Sequence, residues 1–294
     1  RFEQYIKYKP ALATKLAGLF KIADENYFKW FLRTSRATGF RAPAMQQIYY
    51  NRAQTLISGG ALSNRTTFNT FSPVIRLLGL DPLESESSTT FSIGSEIIWD
   101  LQGKTLSLEA DYYNIKLSNR IVLSSTISAS QIADSYTDLK QTLASNNVSS
   151  LNFFINGVDT RTTGLDINGK YSIIVDEQSK YSKTLEFALN SNIQFSNKIL
   201  NFKENSSVLT NSNINIFDRK EQARMLFSRP DQKTILSVRY SNPERFSVSL
   251  RGYYFGKVIW QHPSDSTKDQ VFTGKFLIGV GASYWINKSI SIHL

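Results

Sequence analysis

The sequence predicts an all-β protein, specifically a transmembrane antiparallel β-barrel of which this chain supplies an incomplete part. Three observations predict it. Apolar and polar residues alternate along the whole chain, the alternating runs are longer than soluble strands, and the connections between runs alternate between short and long.

The alternation can be followed from the first run to the last. Leu12, Leu16, Phe20 and Ile22 share one parity while Lys15 and Lys21 take the other. After the short turn ADEN, Phe28, Trp30 and Leu32 oppose Lys29 and Arg33. A long irregular stretch near 39–88 leads to Phe91, Ile93, Ile97 and Trp99, which oppose Ser92 and Glu96. Beyond the turn DLQGK, Leu106, Leu108 and Ala110 face away from Glu109 and Asp111. The stretch near 124–158 is again long. It precedes Leu165, Ile167, Tyr171, Ile173 and Val175, set against Asp166, Asn168, Lys170 and Ser172. The turn DEQSK joins this run to Leu185, Phe187, Leu189, Ile193 and Phe195, which oppose Glu186, Asn190, Asn192 and Gln194. Another long stretch near 200–222 follows, and the turn SNPE leads into Phe246, Val248, Leu250 and Tyr254 against Ser247, Ser249 and Arg251. Past the stretch near 262–270 come Phe276, Ile278, Val280, Ala282 and Tyr284, then the turn INKS and a last short run, SISIHL.

These runs last about 10 to 13 residues, whereas a soluble strand usually has five or six and about 9 to 11 tilted residues cross a bilayer. Short turns at one rim and long loops at the other are the plan of a bacterial outer-membrane barrel. About ten to eleven strands are expected. The first residues and the closing SISIHL both read as partial strands, so a larger barrel is expected. Within the second long stretch, Ile132, Tyr136, Leu139 and Leu143 recur at helical spacing behind a Ser128–Gln131 capping box, predicting a helix over 128–145 that packs the loop onto the rim.

Composition narrows the function. Phe, Tyr and Trp make up 13% of the chain and charged residues 20%, a mixture suited to strands with one apolar and one wet face. The longest apolar stretch, FLIGVGASYWI, is far short of the roughly 18 residues of a membrane helix. Cysteine is absent, which removes disulfides, thiolate metal sites and cysteine nucleophiles. The formal charge is +10, and residues 1–52 hold ten Lys or Arg against three acids. Most of these cations stand singly within alternating strands, a pattern unlike a nucleic-acid patch, and no nucleic-acid partner is expected.

If the apolar face meets lipid, the polar face lines an interior, and a lipid-facing Arg or Lys at mid-bilayer costs about 2–4 kcal/mol. Parity therefore turns Lys15, Lys21, Lys29, Arg33 and Arg251 inward, as candidates for contact with a plug or a ligand. Two readings apply to them: a lumen that attracts an anionic solute, or cations paired with acids of a plug or of neighbouring strands.

The stretch RTSRATGFRAPAMQQIYY resembles the strand of TonB-dependent outer-membrane receptors that rises to the cell exterior and ends in a GFRAP-type motif, here Gly39, Phe40, Arg41, Ala42 and Pro43. SSTTFSIGSEI, LSLEADYYNIKLSNRIVLS, FFINGVDTRTTGLDINGKY, FSRPDQKTILSVRY and FTGKFLIGVGASYWINKSISIHL resemble later segments of the same family in the same order. The resemblance implies a 22-stranded barrel with an N-terminal plug, in the outer membrane of a Gram-negative bacterium. Residues 1–294 would be the C-terminal part of that barrel, without the plug or first strands. Its partners would be outer-membrane lipid and lipopolysaccharide, the TonB complex acting through the missing N-terminal part, and a scarce small-molecule ligand such as a metal chelate. A passive porin-like channel is the alternative.

The motif also has a mechanical reading, since Pro43 cannot donate to a ladder and Gly39 relaxes the backbone at a strand end. Arg36 and Arg41 remain candidates for plug or lipopolysaccharide contact, with parity settling only Arg33. His262, near Trp260 and Pro263, is a conceivable haem or metal ligand, but a lone loop histidine is commonly incidental. Glu96, Glu109, Asp111, Asp166 and Glu186 are spread over four runs without a nucleophile motif and read as lumen polarity. No resident cofactor and no enzyme activity are expected.

Overall fold

The computed structural model describes residues 2–3, 11–58, 61–176, 182–203, 206–287 and 290–294. Ten strands form one hydrogen-bonded path: β1 Lys15–Asp24, β2 Phe28–Arg41, β3 Glu86–Leu101, β4 Lys104–Leu123, β5 Ser150–Asp176, β6 Lys183–Phe202, β7 Gln232–Asn242, β8 Phe246–Phe255, β9 Lys275–Asn287 and β10 Ile290–His293. Each pairs antiparallel with the next in sequence, so the wall is an up-and-down meander. β1 and β10 are the two ends of the path, which does not close on itself.

Directly opposed residues of a ladder share a face, so the register carries the alternation across the sheet. One continuous row runs through Trp30, Ile97, Leu108, Gly169, Leu189, Leu236, Gly252 and Ile278. Many residues of this face are bare: Leu236 is 54% exposed, Ile278 68% and Val280 72%. Leaving such side chains in water forgoes about 1.5–3 kcal/mol each, a loss that hydrocarbon removes. No helix among the described residues is long and apolar enough to cross a membrane, a fact silent about strands.

The turns follow the expected asymmetry. Glu25 and Phe28 exchange backbone hydrogen bonds (2.8 and 3.3 Å), Gly103 takes φ +73° between β3 and β4, and Arg245 N donates to Asn242 O (3.0 Å) between β7 and β8. The turn DEQSK falls mainly outside the described residues, as do Lys288 and Ser289 of INKS. Of the first partial run, Arg1 and residues 4–10 lie outside them, while Phe2 and Glu3 pair antiparallel with Leu12 and Ala11.

Two expectations about length need correction. β3 to β6 have 16, 20, 27 and 20 residues, well beyond 10 to 13, and the stretch 150–158 belongs to β5 rather than to a loop. The cause is that β5 continues past the rim into the loops. There Ser150–Phe153 pairs in parallel with the loop strand Ala61–Phe68, and cover on both sides erases the period-two signal. Leu151, Phe153 and Val158 are at most 1% exposed.

This cap holds the buried core. Leu78, Ile127, Ile132, Leu139, Leu143, Leu209, Ile216 and Phe217 from three long connections pack against the outer end of β5. The wall is one layer thick and is held by ladder hydrogen bonds; the cap is held by apolar burial. The predicted helix over 128–145 is split. The Ser128–Gln131 box caps a single 3-10 turn, Ala129–Gln131, and a nine-residue helix, α1, begins only at Thr137 and ends at Ser145. Ile132 is extended between them, with Ala133 N tied to Ser212 Oγ (3.1 Å), yet Ile132, Leu139 and Leu143 still reach the same core.

Candidate functional site

On the polar face the register aligns Arg33, Gly94, Asp111, Asp166 and Asn192 across five strands. Arg33 and Asp111 are two strands apart. They meet because Gly94, between them, has no side chain: a Cβ there would lie 1.9 Å from Asp111 Oδ1. Arg33 Nε donates to Asp111 Oδ1 (2.8 Å) and Nη2 to Asp111 Oδ2, a bidentate fork. Nη2 also donates to Glu109 Oε2 (3.1 Å), and Nη1 lies 3.8 Å from Glu96 Oε2. Three acids thus surround one guanidinium, so Arg33 is engaged by neighbouring strands. The sequence had given no reason to gather these carboxylates, because strand parity fixes a face but not a register.

The other cations singled out by parity lie on this same face. Lys21 pairs with Asp24 (2.6 Å), which a bulge after Lys21 turns to the polar side. Lys15 and Lys29 make no ion pair among the described residues, and neither does Arg251. Arg251 and Arg239, which sequence reading passed over, flank a polar hollow floored by Gly279 and Gly281. Gly279 pairs with Arg251, and Ser249 stands between Gly281 and Arg239, so small residues beside two arginines were the available signal. Of the remaining carboxylates, Asp166 accepts from Asn192 Nδ2 (2.6 Å) and Glu186 pairs with Lys170 (2.8 Å).

The motif Gly39–Pro43 ends β2, which stops at Arg41. Arg41 Nε donates to Glu86 Oε2 (2.7 Å), and Glu86 Oε1 accepts from Ile121 N (2.7 Å), so one buried glutamate ties three strand ends together. Pro43 is buried just before the short helix Met45–Tyr49, and a Cβ on Gly39 would stand 2.8 Å from Ser88 Oγ. Ala42 is half-buried in the link between them. Parity of β2 sends Arg41 to the polar face and Arg36, paired with Leu16 and Phe91, to the apolar one.

In the cap, His262 N donates to Asp269 Oδ1 (2.9 Å), and its ring Nδ1 accepts from Asp265 N (3.1 Å). That acceptor role fixes the proton on Nε2, leaving neither nitrogen free to take a metal without breaking the turn. Arg219, on helix α2 (Arg219–Leu226), donates to Asp269 Oδ2 (2.6 Å), and this bond holds the Asp269 carboxyl below its usual range. The pair clasps the connection 203–231 to the connection 256–274. His293, on β10, bonds Ser283 and Ser291. Among the described residues no group of three His, Cys, Asp or Glu side chains is placed to hold a metal.

The profile of the family described as TonB dependent receptor-like, beta-barrel matches residues 4–294. The chain belongs to this family. Solved structures with the same fold include a mutant of the ferric enterobactin receptor PfeA from Pseudomonas aeruginosa, 14% identical with a TM-score of 0.56, over 97% of this chain and 34% of that one. The siderophore receptor PirA from Acinetobacter baumannii is 12% identical with a TM-score of 0.57, over 99% and 37%. PirA from Pseudomonas aeruginosa is 13% identical with a TM-score of 0.52, over 99% and 39%. The TonB-dependent receptor chain therefore spans somewhat more than a third of the length of these proteins. No curated protein sequence matches it.

Proposed function

We propose that the chain is part of the barrel of an outer-membrane receptor that takes up a scarce solute, a ferric siderophore or similar iron complex, with energy delivered through TonB. The remaining strands and a plug belong to polypeptide outside these residues. The observation that carries this reading is the cap. Four long connections on one rim are cross-bonded into a folded cover with its own core, which suits a receptor that selects a large ligand better than a passive channel with an open mouth. The family and the receptor folds it resembles support the same reading, as do the mixed charges of the polar face.

The reading is of transport. The Arg33 cluster contains no nucleophile, and its carboxylates are bound to a guanidinium. Uptake of radioactive ferric chelates by cells carrying the full-length receptor tests it: uptake is expected with an intact TonB complex and is expected to disappear when TonB is deleted. Equal uptake in both strains would favour the porin-like alternative.

A further inference from the structure

A guanidinium at the foot of the cap lacks a counter-ion. Arg120, near the outer end of β4, is half-buried, yet it makes no hydrogen bond or ion pair among the described residues. An arginine cannot shed its charge, so one drawn out of water needs an acceptor. The register places Arg120 on the polar face. A bulge at Asn119, which takes φ +56°, sets Arg120 opposite Val158, and Val158 has the parity of Asp166 on β5. Arg41 and Glu86, at the adjoining ends of β2 and β3, lie on that same face.

Glu86 attracts Arg120, whereas Arg41 and Arg229 repel it. Both oxygens of Glu86 are already engaged: Oε2 accepts from Arg41 Nε (2.7 Å) and Oε1 from Ile121 N (2.7 Å). The other buried acid of this rim, Asp159, has the opposite parity and is taken by Lys203 (3.2 Å) and Asn119 N (2.9 Å). Arg229, exposed in the link between α2 and β7, makes no ion pair among the described residues either. Three guanidinium groups therefore share one carboxylate, which leaves two positive charges in excess.

We propose that Arg120 and Arg229, beside the Arg41–Glu86 pair, bind one inorganic oxyanion of the phosphate class. Each unpaired guanidinium presents a planar fork of donors, and a tetrahedral oxyanion has oxygens enough to fill two forks at once, as a spherical chloride has not. The anion fastens wall to cap, because Arg41, Glu86 and Arg120 stand at the outer ends of β2, β3 and β4 while Arg229 belongs to the connection 203–231. This role is independent of the solute transported.

The test is equilibrium dialysis of the full-length receptor, in detergent, against radioactive inorganic phosphate, with thermal unfolding followed in phosphate, sulfate and chloride at equal ionic strength. About one phosphate per receptor should bind saturably, sulfate should compete for it, and phosphate should raise the unfolding midpoint where chloride does not. Arg120→Gln should raise half-saturating phosphate about tenfold or more, as expected for the loss of charge-assisted hydrogen bonds. Arg229→Gln alters an exposed side chain outside the ladders, so it serves if Arg120→Gln fails to fold, and it should weaken binding about threefold. Arg52→Gln, which removes one exposed charge elsewhere in the cap, should bind as the unaltered receptor does. Absence of saturable phosphate binding, the result expected if a carboxylate of the remaining polypeptide fills the site, would overturn the assignment. Equal stabilisation by chloride, or unchanged affinity in the Arg120 and Arg229 variants, would do the same. Chelate uptake is measured separately, so failure of either reading leaves the other standing.

Discussion

A methyl group on Gly94 would meet Asp111 Oδ1 at 1.9 Å, so Gly94→Ala must push the carboxylate away from Arg33. Removing a partner from a fully buried ion pair costs about 3–5 kcal/mol, but these side chains are a quarter to a third exposed, which lowers the expectation to about 1–3 kcal/mol. Thermal unfolding of the receptor in detergent should detect a loss of that size for Gly94→Ala and for Arg33→Met. Arg33→Lys should recover little, because an ammonium cannot make the two-pronged bond to Asp111 while reaching Glu109. Asp269 offers a pH test. Its folded value is depressed by Arg219, so its contribution is complete above the ordinary carboxylate value of about 3.9 and is lost as pH falls through the lower folded value. Protection of the amides across 256–274, taken as exchange relative to the intrinsic rate at each pH, should therefore be high at neutral pH and fall in acid below about pH 4. Asp269→Asn should lack that protection at every pH. At this scale the sequence was half legible: parity turned Arg33 and Arg251 to the polar face, but the neighbours of Arg33 depend on a two-strand register that no single run contains.

The wall and the cap have different stabilities because different forces hold them. Leu143 and Phe217 are at most 1% exposed, and truncating either to Ala should cost about 2–5 kcal/mol, confined to the cap. Hydrogen exchange should then rise in 124–149 and 203–231 while amides of β7 and β8 keep their protection. Gly157→Ala should resemble these variants, since its Cβ would fall 2.0 Å from Phe217 Cζ. The strands in the wall could be read from sequence because one face is apolar and the other wet. The outer end of β5 could not, because burial on both sides replaces alternation there. The broken helix has a similar cause. Its apolar spacing recorded where the side chains go, while the backbone between Ile132 and Tyr136 was settled by a tertiary bond from Ala133 to Ser212.

For the whole molecule, an antiparallel sheet with bare apolar residues across eight strands needs a partner on that face, and the account gives that place to lipid. The long connections then lie together on one side of the membrane and the short turns on the other, as the chain order of lengths already indicated. Closure, by contrast, cannot be read from any strand by itself, because it is a property of the complete set. The most direct test is site-directed spin labelling along β7 and β8 of the full-length receptor in lipid vesicles, with labels at Leu236, Ser237, Val238, Leu250, Arg251 and Gly252. The account predicts oxygen access without nickel-chelate access at 236, 238, 250 and 252, and the reverse at 237 and 251. Hydrated labels at every one of these positions, with no alternation, would contradict it.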